Sequence, residues 1–313
     1  MAVASLHINN RYNFTSKGSS GGYSSILIDN VNHVLLKLDN GSIDSLKKEC
    51  DIYDHLWLNK TTNLFIPQKL WNGQIELLNH YGIVLEICGT SLDTIFDTKN
   101  GKWSYQTIHY IASKILILLR ELHQLNIIHG DVKPDNFAVH PQSFEIYIFD
   151  FGLSRTFLDC SSRQHIQYHE SQEEIIGTLR YASLFNHGKC CYSRRDDLES
   201  FIYMMLYFHF RNLPWLNEED PVKIGNMKEL YTKVMLDEMG PIWSRLYAEV
   251  RDLRFEETID YTKWISVFQS ESIRSQKNYE PRQQWIYDLT LPLVEEVHEK
   301  MISPTSKKTQ QKK

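Results

Sequence analysis

The stretch that most restricts what this chain can become is His129-Gly130-Asp131-Val132-Lys133-Pro134-Asp135-Asn136, followed by Asp150-Phe151-Gly152. Short strands are expected in the segment between them, at Phe137-Val139 and Tyr147-Ile148. Any one aspartate here would be read as a turn or cap residue. Eight fixed positions followed by Asp-Phe-Gly are too many for turn chemistry alone. The two turns must bring their carboxylates together.

Such a set meets the needs of phosphoryl transfer. That reaction needs a carboxylate to orient an attacking hydroxyl and accept its proton. It also needs a cation beside the moving phosphate, and oxygen donors that hold magnesium against it. Asp131 is the candidate base and Lys133 the candidate cation. Asn136 and Asp150 are the candidate magnesium ligands, both being oxygen donors suited to a hard cation.

The same residues resemble the eukaryotic protein kinase superfamily and, within it, the casein kinase 1 family. The closer resemblance rests on Gln164-His165-Ile166, Tyr168, Gly177-Thr178-Leu179-Arg180-Tyr181-Ala182-Ser183, Ser193-Arg194-Arg195-Asp196-Asp197-Leu198-Glu199-Ser200, Leu213-Pro214-Trp215 and Asp260-Tyr261. It covers about residues 12 to 270. It implies an α+β fold of two lobes, a sheet-rich N-lobe over residues 12–88 and a helical C-lobe over 89–301, with ATP between them. It also implies that Lys37 contacts the α- and β-phosphates with Glu49 as its ion-pair partner. Leu85 would be the gatekeeper, and Glu86 to Cys88 the stretch whose backbone meets adenine. Lys133, with Thr178 in the substrate-side loop, resembles the serine/threonine class. Asp197 resembles the helix aspartate that braces the catalytic turn. The HGD form of that turn is similar to the vaccinia-related kinases.

The chain departs from the family pattern in four places. Gly18, Gly21 and Gly22 stand where a glycine-rich loop would cover the phosphates, but Ser19 and Ser24 replace other glycines, which weakens the expected grip on ATP. Leu35 takes the place of a small residue two before Lys37. Gly130 replaces an arginine that would answer an activation-segment phosphate, so switching by that phosphate is not expected. Glu170, Glu173 and Glu174 lie where basic side chains would attract acidic or phosphate-primed substrates, so such recognition is expected to be weak.

The rest of the sequence sets the frame. Strands are expected over Ile26 to Leu38 with a turn at Asp29-Asn30, over Leu64 to Trp71 and over Ile75 to Glu86. Helices are expected over Ser42 to Leu58, Ser91 to Phe96, Ser104 to Leu125 and Arg195 to Phe208, with further helices to about Met301. Residues 302–313 read as a basic, unstructured tail. A net charge of −5 gives no broad attraction to nucleic acid or anionic lipid, and the tail's lysines, Lys307, Lys308, Lys312 and Lys313, are too few for a nucleic-acid module. Five cysteines without C-x-x-C spacing point away from a zinc site or disulfide framework. The start of the chain lacks the basic and apolar regions of a signal peptide. The expectation is a monomer acting on protein substrates in the cytoplasm or nucleus, without a membrane partner. A pseudokinase working as a scaffold or decoy is the alternative.

Overall fold

The computed structural model describes residues 6–9, 11–18, 24–39, 41–159, 161–169, 175–274 and 288–289. The described residues fall into two compact units, the first holding those up to 54 and over 67–87 and the second those over 55–66 and from 88 onward.

The first unit is built on sheets. Strands β1 (Leu6–Ile8) and β2 (Tyr12–Phe14) form an antiparallel pair that begins ahead of residue 12. Strands β3 (Ser16–Lys17), β4 (Ser24–Asp29), β5 (Val34–Asp39), β6 (Lys69–Ile75) and β7 (His80–Glu86) form a second sheet in the order β3-β4-β5-β7-β6. Alternation along β5 explains how this sheet is used. Val34, Leu36 and Leu38 enter a core with Leu6, Ile8, Tyr12, Phe14, Ile75 and Val84, which leaves Leu35 and Lys37 on the other face. Helix α1 (Ile43–Asn59) carries Asp44 in its first turn, where the helix dipole favours an anion, and its last residues belong to the second unit.

Two expected strands are corrected. Leu64 to Trp71 becomes a strand only at Lys69, because Pro67 has no N–H for a ladder and a bulge falls between Lys69 and Trp71. That strand then runs on to Ile75, so the next begins at His80 and not at Ile75. Asn79, with φ 53°, makes the turn between them. The β4–β5 connection is also wider than a two-residue turn. It spans residues 30–33, and Asp29 accepts the N–H groups of Val31 (3.0 Å) and Asn32 (3.1 Å).

The second unit is mostly helical. It contains β8 (Thr90–Ser91), α2 (Leu92–Thr98), α3 (Tyr105–Gln124), β9 (Ile127–Ile128), β10 (Phe137–Val139), β11 (Ile146–Ile148) and β12 (Arg155–Thr156). It continues with α4 (Leu184–His187), α5 (Arg194–Phe210), α6 (Pro221–Met239), α7 (Pro241–Asp252) and α8 (Tyr261–Arg274). Helix α2 outlasts the expected end at Phe96 by one turn's fraction, to Thr98, and takes Ser91 as its N-cap. Ser104 caps α3 in the same way. Helix α5 is buried from Arg195 through Phe208, and its buried polar residues, Arg195, Asp196, Asp197, Glu199 and Ser200, all fall in its N-terminal half. Among the described residues no helix is long and apolar enough to cross a membrane. Cys50, Cys88, Cys190 and Cys191 are not in disulfides, and Cys160 lies outside the described residues.

Candidate active site

The site in the second unit is organised by the β10–β11 hairpin. Phe137 faces Ile148 across the ladder, and the Asn136 carbonyl accepts the N–H of Phe149 at 3.1 Å. The short helical turn Pro134–Asn136 therefore ends beside Asp150, the first residue of the Asp-Phe-Gly segment. Asp150 adopts φ 66°, ψ 70°, a left-handed conformation that a short polar residue tolerates.

Asp131 is held from several directions. Its Oδ1 accepts the backbone N–H of Thr178 at 2.8 Å, and its Oδ2 meets Lys133 Nζ at 2.7 Å. Asn136 Nδ2 donates to the Asp131 carbonyl at 2.8 Å and more weakly to Oδ2 at 3.3 Å. Lys133 Nζ also donates to Thr178 Oγ1 at 3.0 Å, which closes a ring of three residues through the Thr178 backbone. Burial works against the Lys133 charge, but Asp131, with Asp135 and Asp150 in support, outweighs it and raises the lysine above its usual value. Burial also raises Asp135, against the pull of Lys133. A groove of ≈ 470 Å³ opens here, lined by Lys133, Thr178, Arg180, Trp215 and Glu218 among others.

The backbone of the turn that begins at His129 is pinned by a buried carboxylate. Asp197, fully buried near the start of α5, accepts the N–H groups of His129 (2.7 Å) and Gly130 (3.0 Å) and the Nε2 of His123 (3.0 Å). Burial opposes its charge, but these donors prevail and hold the carboxyl below its usual value. Tyr261 hydroxyl meets His123 Nδ1 on the other side of that ring. His129 faces a carbonyl acceptor at Phe149 (3.1 Å from Nε2) and an amide donor at Asp131 (3.2 Å from Nδ1). These partners assign the proton to Nε2. The His129 ring packs on Phe151 with centroids 5.4 Å apart, and Ser154 Oγ donates to the His129 carbonyl at 2.8 Å.

In the first unit Lys37 Nζ is bidentate to Glu49, at 2.9 Å from Oε1 and 2.7 Å from Oε2. Glu49 is 2% exposed, so the pair is largely withdrawn from water. Leu35 shares the sheet face of Lys37 and lies opposite Leu85 in the ladder. Glu86 pairs with Val34, and its N–H donates to Gln68 at 3.0 Å. Cys88 is buried at the start of the long second-unit segment. Gly18 donates its N–H to Ile26 at 2.9 Å. Gly21 and Gly22 lie outside the described residues, as do Ser19, Glu170, Glu173, Glu174 and the tail over 302–313.

Among the described residues no group of three or more His, Cys, Asp or Glu is placed to hold a metal alone. Asn136 and Asp150 present oxygen, and magnesium keeps several ligands from water and phosphate, so two protein donors suffice. The residues present fit magnesium arriving with a polyphosphate.

Reading the sequence missed the part that several residues play. Gly177 sits at φ +82°, and a Cβ there would fall 2.7 Å from the Gly130 carbonyl and 3.1 Å from Asp131 Oδ1. The close approach of the Thr178 amide to Asp131 therefore requires glycine. Gly130, at φ +83°, is likewise pressed on the Leu153 carbonyl, 2.6 Å from where a Cβ would stand. His123 and Ser154 carried no local signal, and Asp260-Tyr261 was a match without a role.

Comparison with known proteins comes down on the same segment. The family described as "Protein kinase domain" matches residues 64–274. Casein kinase I homolog 2 of Saccharomyces cerevisiae is 35% identical over 207 residues, which is 63% of this chain and 37% of that relative. The chain thus spans little more than a third of the relative's length.

Proposed function

The chain belongs to the protein kinase family, and from that premise we propose that it transfers the γ-phosphate of ATP to serine and threonine hydroxyls of protein substrates, as a casein kinase 1-like enzyme. The observation that carries this reading is the fixing of Asp131 between Lys133, Asn136 and the Thr178 amide.

Asp131 orients the incoming hydroxyl and takes its proton as the new oxygen–phosphorus bond forms. The bond from the γ-phosphorus to the bridging oxygen breaks, and ADP leaves with that electron pair. Lys133 offsets charge on the moving phosphoryl group and, through Thr178, ties the turn to the substrate-side loop. Asn136 and Asp150 would hold magnesium, which when bound withdraws charge from the phosphate oxygens. Lys37, fixed by Glu49, supplies positive charge for the α- and β-phosphates. Gly18, Gly21 and Gly22 are assigned to the phosphate cover, and the backbone from Glu86 to Cys88 to adenine. The lysine–threonine bond between Lys133 and Thr178 supports a serine/threonine acceptor. Kinase activity is assigned to residues 12–301, and 302–313 to a tail outside it.

A scaffold without catalysis would have no use for a bidentate Lys37–Glu49 pair or a tethered Asp131, so the silent alternative draws no support. The proposal includes a chain that acts as a monomer in a reducing compartment, cytoplasmic or nuclear, and the four described cysteines outside disulfides suit that compartment.

The test is incorporation of labelled phosphate into a degenerate serine/threonine peptide library, with native protein and Asp131→Asn compared. Native protein should label the library and the variant should not. Equal labelling by both would defeat the enzyme reading.

A further inference from the structure

Lys228 lies in the middle of α6, has no exposed surface, and is absent from the chemistry described above. Burying an ammonium costs far more than burying a methionine or leucine of similar volume, unless its donors are met. Here they are met. Nζ donates to the carbonyls of Leu179 (2.8 Å) and Ala182 (2.6 Å), and its third contact is His187 Nε2 at 3.2 Å. The Tyr203 ring lies 4.6 Å away and the Trp215 ring 6.0 Å, both within reach for a cation–π contribution. Burial pulls the lysine down to about 7, against the field of Glu199.

Those two carbonyls belong to the loop that carries Thr178. Of the two carbonyls between them in sequence, that of Arg180 accepts Trp215 Nε1 at 3.0 Å. Tyr181 and Ala182 send their N–H groups back to the Thr178 carbonyl, at 2.8 and 3.0 Å. The loop over 178–182 is thus a tight turn whose carbonyls at 179, 180 and 182 are all taken by side chains from α6 and the segment before it. Its other end offers the Thr178 amide to Asp131 and the Thr178 hydroxyl to Lys133. An apolar side chain at 228 would fill the same space, but only a donor with several N–H groups can gather both carbonyls.

We propose that Lys228 is a positioning residue, an internal latch that holds the 178–182 loop in the shape that lets Thr178 engage Asp131 and Lys133 and accept a protein substrate beside them. The inference rests on the kinase reading. It adds that docking of the substrate, not of the nucleotide, depends on a lysine that never meets either.

The test compares native protein with Lys228→Met, which keeps the volume and removes the donors, in steady-state transfer to a peptide selected from the library. Loss of charged hydrogen bonds to the loop should raise the peptide KM or lower kcat by about tenfold or more, with the ATP KM changed by less than about twofold. In a Thr178→Ala background, which loses the hydroxyl bond to Lys133 but keeps the amide bond to Asp131, the same substitution should add less than it does in native protein, because part of the latch acts through that hydroxyl. If Lys228→Met does not fold by circular dichroism, Trp215→Phe removes the loop's other side-chain bond and is expected to give the same split. Unchanged peptide kinetics in the folded variant would overturn the latch. A parallel rise in both KM values, with full additivity to Thr178→Ala, would reduce Lys228 to a structural role and overturn it as well. Absence of transfer by native protein would instead defeat the kinase reading itself.

Discussion

The backbone amide of Thr178 donates to Asp131 Oδ1 at 2.8 Å, so the carboxylate assigned as base is aimed by a loop distant from it in sequence. Gly177 makes that approach possible. Its φ of +82° is disfavoured for any residue with a Cβ, and the Cβ would collide with the Gly130 carbonyl. Gly177→Ala should cost about 1–3 kcal/mol of stability and displace the Thr178 amide. Peptide phosphorylation is expected to fall by about a hundredfold, most of it in kcat, as for loss of one donor to a catalytic charge. A variant with native kcat would remove the amide from the catalytic account.

The Lys37–Glu49 pair makes a different demand. Glu49 is almost wholly buried, and Lys37 is 12% exposed by its side chain. Glu49→Gln replaces the bidentate carboxylate beside the lysine charge with a neutral amide. The expected loss is about 2–4 kcal/mol in urea unfolding, the cost of breaking a buried pair from one side. ATP affinity should weaken by about tenfold as the ammonium loses its fixed position. Lys37→Met with Glu49→Gln should cost less than the two single changes added together. Strict additivity would mean that the two groups do not act as a pair.

Why some of this was readable and some was not follows from where each signal resides. The residues from His129 to Asn136 and from Asp150 to Gly152 declare themselves because the chemistry fixes residue type and spacing along the chain. The hairpin between them then turns sequence proximity into spatial proximity. Helix α3 was legible because its apolar positions recur over 20 residues and Ser104 caps it. Strand β6 was misread because Leu64, Phe65 and Ile66 are as apolar as a strand. Their backbone is irregular, and the Phe65 carbonyl instead accepts Ile148 of β11. Lys228 was invisible for the opposite reason. A lysine within an amphipathic helix is by habit solvated, and only the return of the 178–182 loop onto α6 reveals its partners. His123 behaves likewise, since its meaning comes from Asp197 and Tyr261, which are far along the chain.

Removing the brace of the turn that begins at His129 should lower stability and activity together. Asp197→Asn offers one oxygen where three donors converged, and its amide nitrogen confronts N–H groups. A loss of about 3 kcal/mol is expected, with a drop in kcat as His129 and Gly130 shift. If thermal unfolding and kcat stay at native values, Asp197 is not the support that its hydrogen bonds imply.

Asp196 and Asp197 are neighbours, both fully buried, and should still shape the pH profile in opposite ways. Burial raises Asp196 to about 7, although Ser183 Oγ and the Ser193 amide donate to it, and the nearby Glu199 adds to the rise. In the unfolded chain the group returns to about 3.8. Between those values the folded state holds a proton that the unfolded state has lost, so its contribution is full below pH 3.8 and is lost as pH rises through about 7. Asp197 is lowered, so its contribution is present above 3.8 and disappears as pH falls through its folded value. Urea unfolding across pH 2 to 8 separates the two. Asp196→Asn should flatten the decline from about pH 4 to 7 and leave the acid limb intact, while Asp197→Asn should flatten the acid limb alone. If Asp196→Asn retains the native slope between pH 4 and 7, the carboxyl is ionised inside the fold. The compensation would then have to come from Ser183 and Ser193.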